Sequence, residues 1–121
     1  MTGSDDETLR YIASAFPSVW ALELLFILKR AGGRCSREEL VEKLRASEIV
    51  VAKALDALEA AGTISIDGES VAYCPANSAV EASIDRAENL YRRKPNAVFR
   101  AIVSAKTGGA IAFADAFKLR R

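Results

Sequence analysis

Few side chains in this chain could do chemistry, and the commonest catalytic residue is missing. There is no histidine, and the two cysteines, Cys35 and Cys74, stand 39 positions apart. Without histidine the chain cannot build a Ser-His-Asp or Cys-His nucleophile pair, and two cysteines alone cannot hold a zinc ion. No glycine-rich phosphate-binding motif is present. Carboxylates and lysines remain, but no pattern of theirs points to catalysis, so we expect no enzyme, no catalytic residue, no metal and no cofactor.

The two cysteines raise one hypothesis of their own. Cys35 is flanked by Arg34 and Arg37, whose positive charges would favour the reactive thiolate. A redox switch between Cys35 and Cys74 is therefore one interpretation. The one that we favour is two unreactive thiols in a reducing cytosol.

The stretch from Ser36 to Gly62 predicts two short helices joined by a tight turn. Ser36 and Glu39 have the S-x-x-E spacing of a capping box, which predicts a helix to about Arg45. Ser47 is a good N-cap for a second helix, which Gly62 ends. Both segments repeat apolar residues at helical spacing: Leu40, Val41 and Leu44, then Val51, Leu55 and Leu58.

A short hairpin is predicted directly after the second helix. Thr63–Ile66 is a β-branched run, Asp67-Gly68 is a typical hairpin-turn dipeptide, and Ser70–Tyr73 predicts the returning strand. This order of elements resembles the winged helix-turn-helix transcriptional regulators of bacteria, broadly of the MarR and ArsR kind. The resemblance covers roughly Ser18 to Pro75 and rests on Ala46-Ser47-Glu48, Val51, Ala54-Leu55, Leu58-Glu59 and Gly62-Thr63-Ile64.

The resemblance implies a mainly α fold with a small β-hairpin wing, in which helices flank the winged helix-turn-helix on both sides. Residues 1–17 would form an N-terminal helix, residues 18–77 the winged helix-turn-helix and residues 78–121 a C-terminal helical segment, all in one compact domain. Apolar residues at helical spacing, together with the helix-breaking prolines and glycines, predict the other helices. Two come before the helix pair, one ending before Pro17 and one from Ser18 to Ala31. Three come after the hairpin: Ser78 to about Arg93, a helix capped by Asn96, and Ala110 to about Leu119, which follows Gly108-Gly109.

The extra helices suggest how the chain assembles. Three helices after the hairpin are more than a small core needs, so we expect a homodimer through the N- and C-terminal helices. The N-terminal helix could pack on a partner subunit or cover its own domain, and both interpretations stay open. Trp20 is expected in the core or at an interface.

Double-stranded DNA is the partner that the resemblance implies, with transcription regulation as the function. Arginines and the lysine would contact phosphates, and residues on the second helix would reach base edges, with Glu48 accepting from cytosine and Ile49 or Val50 touching a thymine methyl. The candidate DNA-binding residues are Arg34, Ser36, Arg37, Arg45, Ser47, Glu48, Ile49, Val50 and Lys53.

The charge distribution opposes this interpretation. Residues 19–77 carry seven basic and nine acidic side chains, whereas residues 78–121 carry nine basic and four acidic ones. The predicted wing tip, Asp67-Gly68-Glu69, is acidic and would repel phosphate. The basic residues in the tail include a secondary basic patch of Arg92, Arg93 and Lys94, which could also be solvated surface.

Two other functions therefore stay open. Ile49 and Val50 beside Glu48 would suit a protein groove, so the winged helix could instead bind a transcription-related protein partner. A ligand pocket between the wing and the tail is a third interpretation, with Trp20, Tyr73, Tyr91 and Phe99 as lining residues, although core packing is favoured for each. The longest nearly apolar run, Val19 to Leu28, contains Glu23 and is too short to span a bilayer. With no secretory leader either, we expect a cytoplasmic protein without membrane contact.

Overall fold

The computed structural model describes residues 2–105, with side chains from residue 5 onward. Within this range the chain is mainly helical and has a small three-stranded antiparallel sheet, which confirms the predicted mainly α class with a hairpin. The elements are α1 Thr2–Ala15, α2 Val19–Ala31, β1 Cys35–Ser36, α3 Arg37–Leu44, α4 Glu48–Ala60, β2 Ile64–Asp67, β3 Ser70–Tyr73, α5 Ser78–Arg93 and α6, described over residues 95–105.

Serine caps begin three of these helices. The Ser36 hydroxyl accepts from the Glu39 N–H at 3.0 Å, and the Glu39 carboxylate accepts from the Ser36 N–H at 2.9 Å. These bonds complete the capping box and lower the pKa of Glu39, chiefly through the Ser36 N–H. Ser18 and Ser47 likewise accept from the N–H three residues on, each at 3.2 Å. The predicted starts of α2, α3 and α4 are confirmed.

The sheet has the order β1-β3-β2, with both pairs antiparallel. Asp67 pairs with Ser70, so Gly68 and Glu69 form a two-residue hairpin loop, and Gly68 has a φ of 62°. A positive φ at the first loop position alone is the pattern of a type II′ turn, which matches the twist of the strands. The sequence predicts β2 and β3 but not the two-residue β1, which pairs with β3 across more than thirty positions.

Helix α2 is the centre of the core. It packs against α3, α4 and β3, and its neighbours contribute apolar faces that surround it. The predicted stripe of α4 is buried as expected, with Leu55 and Leu58 fully enclosed. The buried α2 residues are Ala21, Leu22, Leu24, Leu25, Phe26 and Leu28. Trp20, at the start of the same helix, is 50% exposed, so of its two expected places, the core and an interface, the core is excluded.

Helix α1 packs against α5 of its own chain. Asp5 joins their ends, since Arg93 Nη2 and Lys94 Nζ lie 3.2 and 3.4 Å from its carboxylate. These partners, Arg93 first, lower the pKa of Asp5. On the other side of α5, Lys29 of α2 is paired with Glu88 and with Asp85 at 3.0 Å. Charged contacts therefore join α1 to the end of α5, and α5 to the central helix α2, in addition to apolar packing.

The junction of α5 and α6 corrects one prediction. Asn96 was expected to cap the next helix, but helical structure already begins at residue 95. Pro95 takes the first helical position, where its missing N–H costs nothing. Lys94 is the junction residue between the two helices. Its N–H donates to the Leu90 carbonyl at 2.7 Å, and its own carbonyl accepts from the Val98 N–H at 3.2 Å. The helix predicted at Ala110 to Leu119 lies outside the described residues.

No single helix in residues 2–105 has both the length and the apolar composition that crossing a membrane requires. Asp5–Ala15 and Val19–Ala31 satisfy these criteria only when taken together, and they bend by 101° at the break between them. In the same range, no group of three histidine, cysteine, aspartate or glutamate side chains is arranged to hold a metal ion.

Candidate nucleic-acid interface

The outer face of α4 is an accessible helical surface beside the hairpin. Its inner face packs on α2, which leaves Glu48, Lys53 and Asp56 exposed and Val50 and Ala52 half-buried. Ile49 is 69% exposed, the largest exposed fraction among the bulky apolar residues of the described chain. Of the α4 residues proposed as DNA contacts, Glu48, Ile49 and Lys53 are thus exposed and Val50 is half-buried.

A groove of about 550 Å³ runs between α3, α4 and the hairpin tip. Three of the side chains that line it are carboxylates, Glu38, Glu48 and Glu69, and one is basic, Arg37. Its floor is made by Val41, Val51 and Ala52. The sequence predicts Val41 only as part of the apolar stripe of α3 and does not indicate Glu38, although their spacing of three residues on α3 puts both on one helix face.

Arg34, the residue before β1, is hydrogen-bonded to the hairpin. Its Nε donates to the Ser70 hydroxyl, and its Nη2 donates to the Ser70 carbonyl at 3.1 Å. Both acceptors belong to the first residue of β3. Since a guanidinium has five N–H donors, three remain available to a phosphate oxygen.

Arg37 makes a second attachment at the hairpin tip. Its Nε donates to the Gly68 carbonyl at 3.2 Å, and its backbone N–H donates to the Glu69 carbonyl at 3.0 Å. The first residue of α3 thus holds both residues of the hairpin loop. Arg34 and Arg37 were predicted as phosphate contacts, and the structure shows that each also has a structural task.

Arg45 and Lys53 differ from the other two basic candidates. Arg45 is the turn residue between α3 and α4, in a left-handed conformation with a φ of 56°, and its N–H donates to Val41 at 2.9 Å. Its side chain and that of Lys53 are exposed, and neither forms an ion pair with any residue in the range 2–105. These two cations are open to an external partner.

The predicted polar contacts Ser36 and Ser47 are occupied by capping. Each hydroxyl oxygen accepts from the third residue of its own helix. The hydroxyl hydrogen is still free to donate, so both serines could reach a phosphate oxygen while they cap. They lie at the starts of α3 and α4, where backbone N–H groups favour an anion.

The secondary basic patch is separate from the groove and largely paired. Arg93 and Lys94 share Asp5, and Arg92 Nη2 lies 3.9 Å from the Glu88 carboxylate. The patch sits on α5 and its C-terminal junction, elements that contribute no side chain to the groove described above. Its positive charge serves the contact between α1 and α5.

Of the four aromatic residues proposed to contact a ligand, Tyr91 and Phe99 pack against each other. Tyr91 packs against Phe26 and Phe99, with ring centroids 5.9 and 5.7 Å apart, as core packing predicts. Trp20 is exposed on α2. The Tyr73 hydroxyl is enclosed without a hydrogen-bond partner among the described residues, and burial is the main cause that raises its pKa.

The two cysteines are not neighbours: Cys35 is in β1, and Cys74 is the residue that follows β3. Cys35 pairs with Val71 of β3 and is buried. Cys74 is exposed and lies three positions after Val71 in the chain. Three residues of strand span about 10 Å, and an odd number of steps reverses the side-chain direction. A disulfide needs Cα atoms within about 7 Å, so this fold does not allow the proposed intramolecular switch.

No protein-family model, curated protein or solved structure matches this chain. The function is therefore argued from the residues themselves. The relevant features are the exposed α4, the cations Arg45 and Lys53, the two arginines that hold the hairpin, and the acidic groove.

Proposed function

We propose that the chain is a winged helix-turn-helix protein that binds double-stranded DNA and regulates transcription. The observation that carries the proposal is the succession β1, α3, α4 and hairpin, with β1 joined to the hairpin in the order β1-β3-β2. In helix-turn-helix proteins the second helix of the pair enters the major groove. Here that helix is α4, whose outer face is exposed.

The N-terminal turn of α4 would read the bases. Recognition helices contact base edges mainly through their first residues. Glu48 can accept from a cytosine amino group, and the exposed Ile49 can contact a thymine methyl. Val50, half-buried beside Ile49, extends the apolar contact.

Basic side chains on both sides of the groove would bind phosphates. Arg45 and Lys53, at the α3–α4 turn and on α4, offer charges that no acidic residue in the range 2–105 pairs with. Arg34 and Arg37 offer the guanidinium donors that the hairpin does not use. The three carboxylates in the groove oppose them, so we propose weak nonspecific binding with a shallow salt dependence.

A homodimer would compensate for the small number of cations. Two subunits double the phosphate contacts and place two α4 helices on half-sites about one DNA turn apart. We propose that the dimer forms through the N- and C-terminal helices. The half-exposed Trp20 on α2 is an apolar residue that such an interface would cover.

A protein partner is the second candidate, and one observation favours it. The exposed Ile49 follows Glu48, which lines a groove with three carboxylates, a combination better suited to a basic, partly apolar peptide than to phosphates. A winged helix that uses α4 in this way would act in transcription through another protein.

Fluorescence anisotropy of a labelled mixed-sequence duplex tests the DNA proposal. The duplex is titrated with the full chain at about 20 mM and then about 150 mM salt, because phosphate contacts release counterions and weaken as salt rises. Lys53→Ala and Arg45→Ala should each weaken binding several-fold at low salt and reduce the salt slope by about one. Arg10→Ala, an exposed charge on α1, is the matched control and should change neither.

The same titration decides between the two candidates. Binding that Arg10→Ala weakens as much as Lys53→Ala does would mean that no specific face is used. An absence of binding at low salt, with a folded chain, would overturn the DNA proposal. Ile49→Ser would then be the first variant to compare with the wild type in a pull-down.

A further inference from the structure

A second groove lies on the opposite end of α4, away from its N-terminal turn. It has a volume of about 500 Å³ and is formed by the end of α1, the loop that follows it, the last turns of α4 and the end of the described part of α6. Six of the nine lining residues are alanines, and the others include Phe16 and Pro17: Ala13, Ser14, Ala15, Phe16, Pro17, Ala57, Ala60, Ala61 and Ala105. We call this surface the alanine groove. Its small side chains leave room for large apolar ones.

We infer that residues 110–121 of the same chain occupy the alanine groove. Ala105, the last described residue, is itself a wall of the groove, so the chain enters the site directly. Sixteen residues follow it. The five residues from Lys106 to Ala110 can span up to roughly 17 Å, and Gly108-Gly109 permits the chain to turn back.

The apolar pattern of this segment fits a groove with small walls. Ala110, Phe113, Ala114 and Phe117 stand at i, i+3, i+4 and i+7, the spacing of one helix face. Two phenylalanines one helical turn apart would place rings into the space that alanines leave, and each ring has a large apolar area to remove from water.

Charge complementarity supports the same occupant. Asp56 and Glu59 are exposed beside Ala57 and Ala60, and α4 has no basic residue in its last turn. Neither carboxylate forms an ion pair with another residue in the range 2–105. The carbonyl end of a helix also favours positive charge. The tail supplies three cations directly behind its apolar face, at Lys118, Arg120 and Arg121.

Paramagnetic broadening in the full chain tests this docking. A nitroxide is attached to Leu119→Cys in a Cys74→Ser background, where the remaining Cys35 is buried. Leu119 falls outside the apolar set, so the label leaves the docking face intact. We expect the amide signals of Ala57, Ala60 and Ala61 to lose most of their intensity, and to regain it when Phe113→Ser and Phe117→Ser are added. Ile49→Ser, at the N-terminal end of α4 and away from the alanine groove, should leave the loss unchanged.

The outcomes separate the occupants. Signals at the groove that keep their full intensity, or a loss that persists in the double-serine variant, would overturn the proposal. A one-to-one mixture of isotope-labelled chains without nitroxide and unlabelled chains with it reports on a second copy. Broadening of the groove signals in that mixture would assign the groove to the tail of another subunit and reject docking within one chain.

Discussion

The Tyr91 hydroxyl on α5 donates to Oε2 of Glu23 on α2 at a distance of 2.6 Å. The same tyrosine ring packs against Phe26 of α2 and Phe99 of α6. One side chain therefore joins the central helix to both described helices of the C-terminal segment. Burial, followed by the bond to Glu23, raises the pKa of Tyr91 to about 12.

The raised pKa predicts a loss of stability in alkali. Between about pH 10 and about pH 12 the unfolded chain loses the Tyr91 proton while the folded chain retains it, so the free energy of unfolding falls as pH rises. Tyr91→Phe keeps the ring contacts but cannot titrate. We expect its Tm, measured by circular dichroism from pH 8 to pH 12, to fall less steeply than that of the wild type. Equal slopes would show that Tyr91 does not contribute.

Replacement by alanine should lower the free energy of unfolding by different amounts at two glycines that have a positive φ. Gly62 has a φ of 74°, and a Cβ there would lie 3.2 Å from the Ala76 Cβ, whereas Gly68 has a φ of 62° and open space around it. Gly68→Ala should cost about 1 kcal/mol of unfolding free energy from backbone strain alone. Gly62→Ala should cost more, because Ala76 must also move. Urea titrations of the two variants measure the difference, and an equal cost would mean that Ala76 yields freely.

Arg34→Lys tests the attachment of the hairpin. Lysine retains the charge but cannot reproduce the paired bonds from Nε and Nη2 to Ser70. We expect a loss of about 0.5–1 kcal/mol in unfolding free energy, because both bonds are solvent-exposed. Arg30→Lys, an exposed arginine of α2, is the matched control and should be neutral within about 0.5 kcal/mol. A neutral Arg34→Lys variant would show that Ser70 does not hold the hairpin.

Reversing one charge at the hairpin tip tests the proposed DNA contact. Glu69→Lys removes a carboxylate from the groove and adds a cation beside Arg37. If the hairpin faces phosphates, the affinity for a mixed-sequence duplex at low salt should rise several-fold and the salt slope should steepen by about one or two. Glu81→Lys, exposed on α5, is the control for the change in net charge. An equal effect of both variants would mean that only net charge matters.

Local signals in the sequence predicted most of the helix pair. Ser36, Ser47 and the apolar repeats of α3 and α4 act within one or two helical turns, so their consequences can be derived from spacing. The β2–β3 hairpin followed for the same reason, because a β-branched run, a turn dipeptide and a second short strand are adjacent in the chain. These are the elements whose start residues agree with the structure to within one position.

The features that the sequence did not predict depend on contacts between residues that are distant in the chain. Strand β1 has two residues and exists because β3 lies beside it, which no local propensity reveals. Pro95 has two opposite uses, ending one helix or beginning the next, and only the hydrogen bonds of Lys94 distinguish them. The attachment of Arg34 to Ser70 likewise needs the folded sheet, so an arginine predicted as a phosphate ligand proved to be a structural one as well.

Ser36 belongs to two elements at once, as the last residue of β1, paired with Ser70, and as the N-cap of α3. No linker separates the sheet from the helix at this point. A displacement of the hairpin would therefore open the first turn of α3, and a molecule that fixes the hairpin would protect the α3 amides from hydrogen exchange. Occupancy at the hairpin tip and local unfolding of α3 are thus linked through Ser36, in addition to the bonds that Arg37 makes to the hairpin loop.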